Sequence, residues 1–219
     1  DLQGLLGKYF ALSQGFEEDV SNAVSDHYLP LGNNSMTSKK PISYIVAISD
    51  KIDTLVGFFL INEKPTSSKD PFALRRSAIG LLRTIIDNKL NLKLRNLISY
   101  NIKLLEEQGV RKTNENSENE ILNFLKERMK NILRDKNIKN DIIEASISSY
   151  FSDNYFDLYK KNTLMNKYIN KEAGINAISS YKRAFNIVES AKENLSGRPD
   201  AVLFRKDEEK HLFEKLNEI

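Results

Sequence analysis

Apolar residues recur three or four positions apart along almost the whole chain, and this spacing constrains the fold more than any other sequence feature. Within residues 72–88, one side of a helical wheel is apolar throughout: Leu74, Ala78, Leu81, Leu82 and Ile85. We find no convincing two-residue alternation of the kind that marks a half-buried strand. The sequence therefore predicts an all-α fold. The predicted helices cover residues 16–28, 41–62, 72–88, 91–107, 118–135, 140–151, 155–169 and 171–194, and a last helix begins near residue 206.

The segment 41–62 is the most apolar of these helices, because its apolar residues cover most of the circumference. A helix of this kind is typically buried rather than amphipathic. Its one polar stripe consists of Ser43, Ala47, Asp50, Asp53 and Gly57. We expect this helix to be the central and most buried element, with the 72–88 helix packed beside it.

Composition limits the classes of function. Net charge is only +3 over 219 residues, so any nucleic-acid site must be a local patch. The absence of cysteine excludes disulfides, thiolate catalysis and thiolate-bound zinc, and it fits a cytoplasmic protein. No membrane-spanning run or signal peptide is visible, so we expect no membrane partner. The chain opens on Asp1 without an initiator Met, and we expect it to be an excised part of a longer protein.

Basic residues form two clusters. The first basic cluster is Lys64, Lys69, Arg75, Arg76 and Arg83. The second basic cluster is interleaved with tyrosines and comprises Lys160, Lys161, Lys167, Lys171, Lys182 and Arg183. Mixed aromatic and basic residues suit single-stranded RNA, whose bases can stack on aromatic rings. Alternatively, the tyrosines are half-buried edges of the core.

The helix at 72–88 has the clearest candidate face. Asp70 is predicted as its N-cap and Pro71 as its first helical residue. Opposite the apolar side lie Arg76, Gly80 and Arg83, where Gly80 would leave the backbone open to a phosphate strand. Alternatively, this is a solvated face with an Arg83–Asp87 ion pair.

Catalytic or metal-binding groups have weaker support. Asp50 and Asp53 share a helix face, which suits a metal or acid–base chemistry, but the stronger expectation is that they cap neighbouring backbone or pair with a basic residue such as Arg75. His27 is expected to be a partly buried histidine at a helix end rather than a ligand. No nucleophile elbow, phosphate loop or dinucleotide fingerprint occurs. We therefore predict no catalytic residue, metal ligand or cofactor in this chain.

Four segments together resemble a known family. Residues 64–80, KPTSSKDPFALRRSAIG, are similar to the signature segment of the β subunit of bacterial heterotetrameric glycyl-tRNA synthetase. Three segments that precede it, residues 1–12 (DLQGLLGKYFAL), 27–30 (HYLP) and 48–59 (ISDKIDTLVGFF), also resemble the family and occur in its order. Beyond about residue 95 the resemblance is weaker and depends on order and on 181–188, YKRAFNIV.

The resemblance implies an α2β2 enzyme whose α subunit carries the class II site for glycine, ATP and Mg²⁺. The β subunit is expected to bind tRNA through an HD-like domain and a DALR-type helical anticodon-binding domain. Residues 1–108 would be the downstream part of the HD-like domain, 109–118 a linker, 119–171 a helical connector and 172–219 the truncated start of the anticodon-binding domain. The chain alone is then expected to lack aminoacylation activity.

In this interpretation the two clusters supply the tRNA contacts: Lys64, Lys69, Arg75, Arg76, Arg83, Lys182 and Arg183. The partners would be the tRNA for glycine and the α subunit. The alternative is an HD-type metal-dependent phosphohydrolase or its inactive relative, since the segment around Asp50 also resembles the last motif of that fold. That fold needs a further His and a His-Asp pair, but neither of the two histidines, His27 and His211, is followed by Asp.

Overall fold

The computed structural model describes residues 2–32, 35–149, 153–190 and 199–218, and it confirms the all-α prediction over these ranges. The chain divides into two compact units, Asp1–Tyr168 and Ile169–Ile219. The helices of the first unit are α1 Leu5–Ser13, α2 Glu18–Asp26, α3 Pro41–Leu60, α4 Leu74–Asp87, α5 Leu94–Glu107, α6 Ser117–Asp135, α7 Asn140–Ser149 and almost all of α8, Tyr155–Ile169. The second unit contains α9 Glu172–Ser190, a 3₁₀ turn at Ala201–Leu203 and α10 Asp207–Asn217.

Helix α3 is central in the first unit, as predicted. It packs against α2, α4, α5 and α6 and contributes more buried residues than any other described helix. The apolar side predicted for α4 is also buried, with Leu81, Leu82 and Ile85 fully enclosed. Burying each such side chain is worth about 1.5–3 kcal/mol relative to leaving it in water.

The orientation of the first turns of α3 differs from the prediction. Ser43 and Ala47 of the expected polar stripe are buried, whereas Ile42 and Ile45 are 43% and 57% exposed. The Ser43 hydroxyl donates to Asp26 Oδ2 at 3.0 Å, which satisfies its hydrogen bond inside the contact with α2. Small residues let the two helices approach, so α3 turns its N-terminal isoleucines outward.

Helix α4 begins two residues after the start of the predicted span 72–88, and Pro71, predicted as its first helical residue, lies in the turn before it. Ala73 has a left-handed backbone with φ of 53°, and the helix starts at Leu74. Asp70 still caps it, because its carboxylate accepts from the backbone N–H groups of Leu74 at 2.9 Å and Arg75 at 3.0 Å. The carboxylate therefore reaches the helix across a turn formed by Pro71 and Phe72, rather than from the adjacent position.

The segment 109–118, predicted as a linker, joins α5 to α6 inside the first unit. Thr113 donates from both its backbone N–H and its hydroxyl to Leu60 O, each at 3.0 Å. The Asn114 amide donates to Phe59 O at 3.3 Å. These bonds attach the segment to the last turn of α3 and satisfy carbonyls that the helix end leaves open.

Helix α9 leaves most of its large apolar residues exposed. Gly174 is its one buried residue, and Tyr181, Phe185 and Val188 are 68%, 50% and 58% exposed. In the same unit, Phe204 and Phe213 pack on each other with ring centroids 5.3 Å apart. That contact joins the residue after the 3₁₀ turn to α10. No helix in the described parts of either unit is long and apolar enough to span a membrane.

Candidate nucleic-acid interface

The centre of the candidate site is Lys51, a residue that the sequence interpretation missed. The residue is 5% exposed, and its ammonium donates to His27 O at 2.7 Å. Burial lowers the pKa of Lys51, and the neighbouring Asp50 carboxylate partly opposes that shift. The residues four positions away, Ala47 and Leu55, are apolar and buried, and that spacing was the available signal that Lys51 lies on the inner face of α3.

Gly80 of α4 lies directly against Lys51, which corrects the prediction that Gly80 opens the backbone to a phosphate strand. Gly80 is buried, and a Cβ added there would lie 2.8 Å from Lys51 Cε and 3.5 Å from Pro30 Cδ. The glycine therefore makes room for the lysine stem. Gly80 is thus packed against these two side chains and is not an open stretch of backbone.

Arg76 is exposed and forms no hydrogen bond or ion pair with any residue in the described part of the chain. It borders a cavity of about 200 Å³ that is also lined by Pro30, Gly32 and Arg83. It also borders a second cavity of about 150 Å³, which we call the Lys51 pocket, lined by Gln3, Tyr28, Pro30, Leu31, Asp50, Lys51, Arg76 and Ser77. Arg76 is thus a free guanidinium at the edge of a concave surface.

Arg83 is half-buried rather than displayed to solvent. Its guanidinium donates to Gly32 O at 2.9 Å and to Ser35 O at 2.6 Å. The alternative Arg83–Asp87 pair is not formed either, because the Asp87 carboxylate accepts from Thr37 Oγ1 at 3.0 Å. Arg83 therefore holds the loop before α3 onto α4, and Arg76 and Arg83 do not form a matched pair of exposed cations.

The other members of the first basic cluster also differ in whether another residue of the chain binds their charged group. Lys64 forms an ion pair with Glu120 at 2.8 Å, and this hydrogen bond is the main reason that the pKa of Glu120 lies below its usual value. Arg75 donates to Thr66 O and lies 3.8 Å from the Asp70 carboxylate. Lys69 is exposed, and its ammonium makes no hydrogen bond or ion pair within the described ranges.

Lys182 and Arg183 lie in the second unit, on α9, and both are exposed. Neither side chain pairs with another residue in the ranges that the structure describes. The neighbouring Tyr181 stacks on Phe185, with ring centroids 6.1 Å apart. This stretch of α9 therefore presents free cations beside exposed aromatic rings.

Asp50 and Asp53 of α3 form neither a metal-binding group nor an ion pair with Arg75 in the described structure. Asp53 accepts from Asn101 Nδ2 at 3.2 Å, and Arg75, the suggested partner, binds Asp70 and Thr66 instead. Across the described ranges, no group of three or more His, Cys, Asp and Glu side chains could hold a metal ion. His27 is a half-buried residue at the end of α2, as predicted, with Nδ1 3.2 Å from Ala23 O.

Comparison with known proteins decides the family. The family model described as glycyl-tRNA synthetase beta subunit matches residues 1–148, more than half of the chain. The chain belongs to this family. The match includes α1 to α6 and every residue of the first basic cluster, and the Lys51 pocket lies wholly inside it.

Curated glycine–tRNA ligase beta subunits are similar over nearly the whole chain. The one from Paracoccus denitrificans is 37% identical over 222 residues, covering 99% of this chain and 31% of the relative. That from Rickettsia canadensis is 37% identical over 219 residues, covering 100% of this chain and 31% of its own length. The relative from a Ruegeria species is 38% identical over 194 residues, covering 88% of this chain and 26% of the relative. The chain thus spans 26–31% of the length of these family members.

Proposed function

We propose that this chain is a tRNA-contacting part of a glycine–tRNA ligase beta subunit. In that role it supports the ATP-dependent attachment of glycine to tRNA, with glycine, ATP and Mg²⁺ bound by a separate α subunit in an α2β2 enzyme of the cytoplasm. The observation that carries the proposal is the family match over residues 1–148. The chain itself would hold no cofactor and would lack aminoacylation activity on its own.

The domain assignment belongs to the same proposal. Residues 1–108 would derive from an HD-like domain, 109–118 would connect it to the helical segment 119–171, and 172–219 would begin a DALR-type anticodon-binding domain. The exposed cations and aromatic rings of α9 support a role in RNA contact for the last segment.

Within the proposed contact set, the intrachain bonds suggest different roles. Arg76 and Lys69 are the members of the first basic cluster without a partner in the described structure, so contact with phosphate would cost them no intrachain bond. Lys64, Arg75 and Arg83 would first have to share or release the partners they hold. Lys182 and Arg183, free on α9, would supply the contacts of the second unit.

The test is a titration of the assembled enzyme with the tRNA for glycine and with a mismatched tRNA, at several salt concentrations. We expect an Arg76→Gln, Lys69→Gln double variant to bind both RNAs more weakly, with a salt slope lower by about one unit for each phosphate contact removed. Arg→Gln changes helix propensity little, so α4 should persist. Arg83 is left intact, because its replacement would release the loop that it holds.

Arg75→Gln, adjacent on α4, is the matched control for loss of one guanidinium charge. Because Arg75 already binds Asp70 and Thr66, Arg75→Gln should lower tRNA affinity less than Arg76→Gln does. Unchanged affinity and salt slope in a folded Arg76→Gln, Lys69→Gln variant would contradict a tRNA contact at this surface.

A further inference from the structure

We propose that the Lys51 pocket is a binding site for a single phosphate group. The inference starts from an incomplete set of hydrogen bonds. A lysine ammonium has three N–H donors, and Lys51 uses one of them on His27 O at 2.7 Å. The other two N–H groups find no acceptor among the described residues, although the residue is only 5% exposed. Leaving N–H groups of a buried charge without acceptors is costly, and the cavity beside Lys51 has room for an acceptor.

The lining of the pocket determines the chemistry of that acceptor. Lys51 and Arg76 carry two positive charges and Asp50 one negative charge, so the lining is net positive. Ser77 adds a hydroxyl that has no hydrogen-bond partner within the described ranges. An ammonium, a guanidinium and a hydroxyl around a cavity of about 150 Å³ match a tetrahedral oxyanion, which accepts several charge-assisted hydrogen bonds at once.

Asp50 does not prevent anion binding at this position. Its side chain is exposed, so solvent screens its repulsion of a bound anion. Its charge also favours the protonated form of the Lys51 side chain against the effect of burial. Asp50 therefore helps to keep charged the one buried donor on which the site depends.

The packing keeps the Lys51 ammonium in place. The missing side chain at Gly80 accommodates the Lys51 stem, and Pro30 closes over the same position. On the other side, the His27 carbonyl fixes the end of the chain. The ammonium is thus held in one position at the wall of the pocket, which limits the entropy lost when an anion binds.

The test is a titration of the 219-residue chain with inorganic phosphate, followed by amide chemical shifts or calorimetry, with sodium chloride at matched ionic strength as reference. We expect saturable binding that chloride does not reproduce. Arg76→Gln should weaken it about tenfold, as expected for loss of one charge-assisted hydrogen bond. Lys51→Met, which keeps the length of the stem, should weaken it at least as much.

Arg75→Gln again serves as the control, since it removes the same charge one residue away but outside the pocket. An equal loss in Arg75→Gln and Arg76→Gln, or no saturable phosphate binding by the wild-type chain, would overturn the proposal. If Lys51→Met does not fold by circular dichroism, Arg76→Gln and Ser77→Ala still decide it, because both residues are at the surface or half-exposed.

A second arm identifies the source of the phosphate. If phosphate lowers tRNA affinity more than chloride of equal ionic strength does, and Arg76→Gln removes the difference, the site takes a phosphate of the RNA. If tRNA affinity responds equally to both salts, the site takes a free phosphate compound. The pocket itself is tested by the first arm, which contains no RNA, so its failure and the failure of the proposed tRNA function are distinguishable.

Discussion

At the scale of single residues, the pair formed by Lys51 and Gly80 shows how a buried cation determines what its neighbour can be. Gly80 sits inside α4, where glycine costs about 0.5–1 kcal/mol relative to alanine. A methyl group there would lie 2.8 Å from Lys51 Cε, so the lysine would have to move. Glycine at this position therefore reflects space for a side chain from another helix rather than local flexibility.

This contact predicts that Gly80→Ala has opposite effects in two backgrounds. In the wild-type chain the methyl group should displace the Lys51 ammonium from His27 O and lower the free energy of unfolding by about 1 kcal/mol, because the lost charged hydrogen bond exceeds the gain in helix propensity. In a Lys51→Ala background the same change should raise the free energy of unfolding by roughly 0.5–1 kcal/mol. Urea unfolding of the four proteins measures this, and the same sign in both backgrounds would contradict it.

Burial of Lys51 also predicts a pH dependence. Its folded pKa lies below 10.5, so between the folded pKa and 10.5 the unfolded chain binds more protons at this residue than the folded chain does. The free energy of unfolding should therefore gain a contribution that grows as pH rises through that window. The measurement is the free energy of unfolding of the wild-type and Lys51→Met chains between about pH 8 and about pH 10. The Lys51→Met chain should lack the pH-dependent contribution.

The matched control is Lys103→Met, which removes an exposed lysine of α5. If Lys51→Met and Lys103→Met show the same change of unfolding free energy with pH, the protonation of Lys51 is not coupled to folding. A difference between them reports the cost of holding the Lys51 ammonium away from water.

At the scale of elements, helices α7 and α8 are joined by a buried polar contact. The Ser146 hydroxyl donates to Asn162 Oδ1 at 2.9 Å, and Asn162 Nδ2 donates to Leu158 O at 2.9 Å. Both side chains are buried. This bond favours one alignment of the two helices, because sliding either helix would leave the buried Asn162 Oδ1 without its donor.

We expect Asn162→Ala to lower the free energy of unfolding by about 1 kcal/mol, since it removes the interhelix acceptor of the Ser146 hydroxyl, which can still donate to Ile143 O at 3.0 Å. Ser146→Ala should cost about 1 kcal/mol, and the double variant less than the sum, with a coupling of about 1 kcal/mol. Chemical denaturation of the double-mutant cycle measures this. Strict additivity would show that the hydrogen bond does not link the two helices energetically.

At the scale of the whole molecule, the two units contribute unequally to the core. Every buried apolar residue of the described structure lies between Ala23 and Leu158, inside the first unit. In the second unit, α9 buries Gly174 alone and α10 buries none of its described residues. Because apolar burial is the main favourable term in folding, the first unit should carry nearly all of the stability.

We therefore expect a chain shortened after Tyr168 to unfold cooperatively, with a urea midpoint and an m-value close to those of the 219-residue chain. The reason is that m follows the surface exposed on unfolding, and the second unit buries little. Circular dichroism and urea titration of both proteins make the comparison. A shortened chain that loses its cooperative transition would show that the second unit is required for the core.

The sequence alone was sufficient for the helical class, the family and most helix positions. Spacing of three and four identifies the apolar side of α4, since side chains at those intervals share a face of any helix. The predicted span 118–135 differs from α6, Ser117–Asp135, by one residue, because a long amphipathic stretch is governed by local periodicity. The four segments that carry the close family resemblance are also local and lie inside the family match over residues 1–148, whereas 181–188 lies outside it.

Tertiary contacts decided which polar residues are free to bind a ligand. Arg76 and Arg83 are equivalent on a helical wheel, yet only Arg83 meets carbonyls of the loop before α3, and Arg76 alone remains open. Lys51 looks like a surface cation until α4 brings Gly80 against its stem and His27 O to its end. The physical reason is that periodicity specifies the face of one helix, whereas burial and hydrogen-bond partners depend on what a distant part of the chain places against that face.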